Sequence, residues 1–405
     1  MAKHFRQWVV VVLVTIGVVC YGWGVQEEEQ ASGPRLPGAR IVIDASRFTS
    51  LQAAIDALPA EGGAVLIPPG EFRIERPLLI TQSDVLIQGS GTATHIVNTN
   101  RQGEPALRIG RTAEQQPASE RPWRVMVSNL RVTGNPESGH GIEALAVNEL
   151  FIQEVTVSYH GGDGIRLDQC YEDPRVSDCL ITYNKGTGLN LLGCHDIVVS
   201  ANQFEENNDG LRCTDGFNLC MTGNCLDDHL GNGVIIENTY GSVVSGNMIE
   251  ECRRAAIVLD RDCYGITLSA NVIAHNGEGI DLKDAHGCAV SANTFTINDK
   301  YALRISENSG RITVSANNFC NSYIGEGKVK RGSSDLAAAG VLLHATRQIV
   351  FSGNLFSSLR PKAVDVSGSD ASRILFHGNL IVDSPTDHPQ LKDSLIEDNL
   401  VVPHD

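Results

Sequence analysis

The sequence predicts an all-β chain wound as a parallel solenoid, and three observations carry that prediction. A unit of mostly 22–25 residues recurs down most of the chain. Each copy alternates apolar and polar residues over short strands separated by turn residues, and helical periodicity is absent after Leu58 apart from an alanine run near Ala337. Most copies also carry an Asn at one turn. Gly277–Asn293, GEGIDLKDAHGCAVSAN, shows the plan: a Gly-Ile-x-Leu strand, a polar turn, a second strand ending in Ser-Ala-Asn or Ser-Gly-Asn, then a third short strand. Such a unit cannot bury its apolar side alone and does so by stacking on the next copy.

Composition agrees. The 40 glycines suit many tight turns, and with 5% aromatics the core falls to Val, Ile and Leu. A formal net charge of -16 repels polyanions and excludes nucleic acid as a partner. It also weighs against acidic polysaccharides unless a local basic patch or a bound cation offsets it.

At the N-terminus, Lys3, His4 and Arg6 precede an uncharged run from Trp8 to Val25. Residues 1–24 read as a signal peptide or a membrane anchor, so the body is expected to be exported, with membrane attachment if the run is uncleaved. Residues 25–40 read as a linker, and 41–405 as one solenoid domain, expected as a monomer. Ile41–Ile43 reads as a strand. Thr49 or Ser50 then caps a helix from Leu51 to Leu58, whose Leu51, Ala54, Ile55 and Leu58 form one apolar stripe. Strands follow at Ala64–Ile67, Phe72–Ile74, Leu78–Ile80 and Val85–Gln88. Arg111–Arg121 reads as a loop. From Val125 the repeats run on, with the turn position expected at Asn129, Glu154, Asp178, Asn202, Asn224, Asn247, Asn271, Asn293, Asn317, Asn354, Asn379 and Asn399. The step from Asn317 to Asn354 is 37 residues and holds a basic, Gly-rich insert at Ser322–Leu336, with Lys328, Lys330 and Arg331. Stacked Asn amides can hydrogen-bond into a ladder, so these residues read as structural.

The stretch SLQAAIDALPAEGGAVLIPPGEFRI resembles the opening of the pectate-lyase-like β-helix proteins, and the repeats resemble the PbH1 unit of the same superfamily. The resemblance implies a single-stranded right-handed parallel β-helix with an N-terminal α-helical cap. It covers Ile41 to Val402 and implies carbohydrate chemistry, since the superfamily includes pectate lyases, polygalacturonases, alginate lyases and epimerases. No catalytic signature carries over. The Asp-Pro-His motif of alginate epimerases is absent, because Asp173-Pro174 is followed by Arg175. Asp227-Asp228 is an acid pair as in polygalacturonases, but the Gly-His-Gly at Gly139-His140-Gly141 precedes it rather than follows.

The eleven cysteines of an exported chain would suggest disulfides. Cys170, Cys194 and Cys263 instead recur at one place in the unit, as a column of buried small side chains would, and Cys179 and Cys225 both follow the Asn-type position. Cys213, Cys220, Cys225 and His229 match no zinc spacing.

Chemistry is sought on the outer face of the Gly-Ile-x-Leu strand, where Ile and Leu point inward and the residue after each points out. One outward column reads Arg166, Asn190, Arg212, Ile235, Val258, Asp281, Arg304, Leu342, Asp365. The next reads Asp168, Leu192, Thr214, Glu237, Asp260, Lys283, Ser306, His344, Ser367. Glu237, Asp260 and Lys283 recur at spacings of 23 and should stand on successive rungs. Carboxylates beside one another and beside Lys and Arg are where acid and base roles separate. Glu237, Asp260, Asp281, Lys283 and Arg304 are therefore the expected catalytic set, and Arg166, Asp168, Arg212, Asp215, Arg261 and Asp284 the expected substrate contacts. No metal ligand set is expected, although a Ca²⁺ held by the acids would serve a lyase or epimerase. The bland reading of the same columns is a row of solvated cross-strand ion pairs. The reading is a polysaccharide lyase or glycoside hydrolase acting on a polysaccharide or oligosaccharide along the rod, against a non-catalytic glycan-binding or scaffold protein.

Overall fold

The computed structural model describes residues 36–306, 309–320, 338–367, 371–386 and 391–403. The N-terminal apolar segment, residues 25–35 of the linker and the basic insert lie outside the described residues. Leu36–Ala39 make one turn, with Ala39 N donating to Leu36 O at 2.9 Å. From Arg40 on the chain is a parallel β-solenoid.

Each typical coil contributes one strand to a twelve-stranded sheet and two shorter strands to a 29-stranded sheet. The coil from Thr187 is representative: Thr187–Leu192 lies in the first sheet, and Val198–Ser200 and Gln203–Glu205 lie in the second. Strands pair in parallel with the same strand of the next coil, as Val199 does with Met221 and Phe204 with Leu226. Alternation then aims every second side chain inward. Ile165, Leu167, Leu189, Leu191, Leu211, Ile257 and Ile280 are all fully buried. Like residues stack on like: Phe295, Phe319 and Phe356 occupy successive coils with centroids 4.6 and 4.9 Å apart.

The expected Asn ladder is present. Nine asparagines from Asn202 to Asn399 are joined by eight amide–amide bonds of 2.9–3.0 Å, each Nδ2 donating to the Oδ1 of the next coil. The same Oδ1 also accepts a backbone N–H, as Asn271 Oδ1 does from Asn247 N at 3.0 Å. Two details differ from the sequence reading. The left-handed residue is the one before the Asn: Ala201, Ala270, Ala292 and Ala316 have φ of 54–56°. The first three positions were accordingly set one residue early. Asn129, Glu154 and Asp178 hold that left-handed place with φ of 54–55°, and the inward residues of those coils are Leu130, Val155 and Cys179. Cys179 N thus donates to Asn202 Oδ1 at 3.0 Å. Cys179 and Cys225 are therefore not equivalent; Cys225 pairs with Gln203 and is half-buried.

A second inward column runs along the next corner: His160, Asn184, Asn207, His229, Cys252, Asn276, Asn298. All are buried. Asn184 Nδ2 donates to Asn207 Oδ1 at 2.9 Å, and Asn276 Nδ2 to Asn298 Oδ1 at 3.3 Å. Cys170, Cys194 and Cys263 are fully buried in one column, and the ten described cysteines are free thiols.

The N-terminal end is covered by the helix Leu51–Asp56, shorter than the sequence reading by two residues. Ser50 caps it, its Oγ accepting from Ala53 N at 3.1 Å, and Leu51, Ala54, Ile55 and Leu58 are buried as expected. Gln52 completes the cover. Its amide accepts from Leu79 N at 2.8 Å and donates to Leu79 O at 3.2 Å, standing in for a missing strand beside the first strand of the twelve-stranded sheet. At the other end the repeat fades: the strands Leu395–Glu397 and Leu400–Val402 are exposed throughout.

Candidate functional site

The outward columns fall where the 23-residue spacing put them. Arg212 pairs with Ile235, Ile235 with Val258, Val258 with Asp281, and Asp281 with Arg304; beside them Thr214 pairs with Glu237 and Glu237 with Asp260. These strands line a cleft of about 400 Å³ that contains all five expected catalytic residues and Arg212.

The floor is apolar. Ile235 and Val258 point away from the solenoid core, yet they are only 5% and 7% exposed and pack with Ala255 as a cluster of their own. Long charged side chains around them supply the cover. At one end Glu237 accepts from Arg212 Nη1 at 2.8 Å and from Thr214 Oγ1 at 3.2 Å, and Arg261 Nη2 lies 3.0 Å away. In the middle Lys283 Nζ lies 3.6 Å from Asp260. At the far end Arg304 holds Asp281 with two hydrogen bonds, the Nε bond at 2.7 Å. Burial pushes the Asp281 carboxyl above the usual carboxylate range, against the opposing pull of Arg304.

The rim was not read from the sequence. Asn232, Arg254, Glu278 and Lys300 line the cleft from the turns or strand starts that precede its strands. Lys300 Nζ meets Glu278 at 2.9 Å. Burial alone would raise Glu278, but the Tyr301 hydroxyl and the Lys300 ammonium outweigh it and hold the carboxyl below its ordinary value. Arg254 is exposed and makes no ion pair among the described residues. The lining thus carries Arg212, Arg254, Lys283, Lys300 and Arg304 against Glu237, Asp260, Glu278 and Asp281, a local cationic excess on an acidic chain.

The other expected contacts stand outside the cleft lining. Arg166 and Asp168 lie two coils earlier and bond to each other at 3.1 Å. Asp215 accepts from Asn238 Nδ2 at 2.8 Å, and Asp284 pairs with His286 at 2.9 Å. Arg261 reaches the site only through Glu237. Asp163 and Asp209 play a structural part, accepting the backbone N–H of Thr187 at 2.8 Å and of Asn232 at 2.7 Å.

Comparison with known proteins agrees with this architecture. A family model for right-handed β-helix regions matches residues 118–240, and one described as the periplasmic copper-binding protein NosD matches residues 185–336. No curated protein matches the chain in sequence. Among solved structures, the A-module of the mannuronan C-5 epimerase AlgE6 of Azotobacter vinelandii superimposes over 90% of this chain and 100% of its own, with a TM-score of 0.61 at 16% identity. A family 28 exopolygalacturonase of Yersinia enterocolitica covers 89% of this chain and 78% of its own, at TM-score 0.57 and 11% identity. Tailspike protein 3 of bacteriophage CBA120 covers 88% of this chain and 61% of its own, with the same score and identity. The chain has a right-handed parallel β-helix fold of the PbH1 type.

Copper, which one matched description names, does not fit the candidate donor set among the described residues. Among the described residues the one set of three His, Cys, Asp or Glu side chains with donor atoms within 4.8 Å of one another is Asp227, Asp228 and Glu251. Three carboxylates are hard oxygen donors, whereas copper sites are built from imidazole and sulfur.

Proposed function

We propose that the protein is an exported carbohydrate-active β-helix protein, a polysaccharide lyase or glycoside hydrolase, that takes an acidic glycan into this cleft. The observation that carries the reading is the local reversal of charge over an apolar floor. Five cations and four carboxylates line the cleft around Ile235 and Val258, an excess of one positive charge, while the chain as a whole is at -16. A sugar ring has an apolar face and, in a uronate, a carboxylate at its edge. The floor suits the first, and Arg254 and Lys300 at the rim suit the second. Two of the superimposed structures, the mannuronan epimerase and the exopolygalacturonase, are named for uronate polymers.

Two cleavage chemistries suit the geometry. In elimination, Lys283 in its neutral amine form takes the proton beside the sugar carboxylate, the glycosidic C–O bond breaks, its oxygen leaves with a proton returned by the Lys283 ammonium or by water, and a carbon–carbon double bond forms in the new end. In hydrolysis, Glu237 and Asp260, one rung apart, act as nucleophile and acid. A non-catalytic glycan-binding role is the second reading, because every cleft carboxylate already has a cationic partner within 4 Å. Export is supported by the uncharged N-terminal run and by the periplasmic description of one matching family. No helix among the described residues is long and apolar enough to cross a membrane.

Incubation with polygalacturonate, alginate and a neutral glucan tests the proposal. New ultraviolet absorbance indicates a lyase, and new reducing ends without it a hydrolase. Binding without either product supports the second reading. Asp260→Ala and Lys283→Ala are expected to lower turnover at least 100-fold with an unchanged melting temperature. Full turnover in both variants would remove the catalytic assignment.

A further inference from the structure

We infer a second, separate site: an oxyanion pocket formed by Arg311, Arg347 and Arg373 at a corner of the C-terminal coils. It does not rest on the cleft. The three guanidiniums, with His286, Gly310 and Gln348, line a pocket of about 280 Å³. Strand pairing builds it. His286 pairs with Gly310, Gly310 with Arg347, and Arg347 with Ser372, so they form one column. Arg311 and Arg373 stand in the neighbouring column, both with φ of 56°. Gly310 lets the coils approach closely here, since a Cβ on it would lie 2.6 Å from Arg347 O.

None of the three arginines makes an ion pair with a described residue. Among the described acids, Asp284 and Asp393 are engaged or apart. Asp284 is held by the His286 ring at 2.9 Å and by Asp262 N at 3.0 Å, and Asp393, on the coil after Arg373, makes no ion pair with it. Arg311 is steadied from the other side, its guanidinium 5.8 Å from the Tyr264 ring centroid. Tyr264 follows Tyr240 in backbone register, next to a column in which the rings of His195, Phe217 and Tyr240 meet on successive coils at 4.7 and 5.5 Å. Three like charges gathered on adjacent coils repel one another, and an oxyanion between them removes the repulsion. Guanidinium forks match the paired oxygens of sulfate, phosphate or carboxylate. The ligand class is therefore an oxyanion, free or borne on a sugar as a sulfate ester, phosphate ester or carboxylate.

Calorimetric titration of the full chain with sodium sulfate, sodium phosphate and galacturonate, at ionic strength held constant with chloride, tests the site. Saturable binding of at least one probe is expected, weakened tenfold or more in the Arg347→Gln/Arg373→Gln double variant. These arginines are exposed, so the variant should melt with the wild type. Sulfate or phosphate binding alone marks a tetrahedral group, and galacturonate binding lost in the variant marks a sugar carboxylate. Absence of saturable binding for all three probes, or equal affinity in the double variant, would overturn the inference.

Discussion

Single buried groups set how this fold responds to pH. His229 lies in the second inward column with Asn207 on one side and Cys252 on the other. Burial lowers its imidazole to about 4, against weaker upward pulls from Asn207 O, Asp209 and Asp228. Burial, helped by His140, lowers His160 to about 3. Both folded values lie below the 6.5 of a free imidazole. The unfolded chain thus binds more protons below that pH, and stability falls as pH drops from 6.5 toward 4. The slope is at most about 1.4 kcal/mol per pH unit for each histidine. His229→Asn places an amide where Asn207 and Asn276 already have one. Urea titrations at stepped pH should show a flatter decline in the variant than in the wild type, and an unchanged slope would contradict the assignment. The acidic side of the cleft belongs to the same scale. Asp281 is raised by burial and kept usable by Arg304, a balance no spacing rule reveals.

Among elements, the Asn ladder is the most cooperative. Asn271 Oδ1 accepts from Asn247 N and Nδ2, while its Nδ2 donates to Val244 O and Asn293 Oδ1. Asn202 begins the ladder and accepts only from Cys179 N. Asn271→Ala should therefore cost more than Asn202→Ala, by about 1–3 kcal/mol for the additional buried donor left unsatisfied. Chemical denaturation of the two variants decides it; equal losses would mean the ladder bonds add nothing individually. How legible these elements were follows from the same geometry. The outward columns were readable because parallel coils in the twelve-stranded sheet keep register without bulges, so a spacing of 23 means one rung. The turn was misread by one residue in three coils because Asn, Asp and Glu there take the left-handed place that Ala or Gly takes later. The second ladder was hidden by His160, His229 and Cys252, which interrupt its asparagines. The cleft rim was missed because Asn232, Arg254, Glu278 and Lys300 are brought in by the path of the chain around a corner, which periodicity does not encode.

For the molecule as a whole, charge is arranged by place rather than by sum. The total of -16 made an acidic glycan an unfavoured partner on sequence grounds, and the cleft's local cationic excess changes that balance. Long-range repulsion and short-range attraction then act on the same ligand at different distances. Raising salt should weaken a uronate oligosaccharide's equilibrium affinity by screening the cleft contacts, while its association rate falls less than the affinity because the repulsive outer field is screened too. Stopped-flow binding at stepped ionic strength checks this; a rate that falls as steeply as the affinity would mean the ligand sees a cationic surface from afar.

The bond between Asn317 and Asn354 remains 3.0 Å although 37 residues separate them, the same length as where 22 or 24 do. The extra residues fall between Cys320 and Ala338, past the ladder corner, and the ladder bond is unchanged. The ladder thus divides each repeat into a part that cannot change length and a part that can. Variation in this architecture has a permitted address: new loops can be added at corners, beside the cleft or far from it, without renegotiating the core. A protein engineer could use the same address to lengthen or exchange a substrate-facing loop while keeping the scaffold.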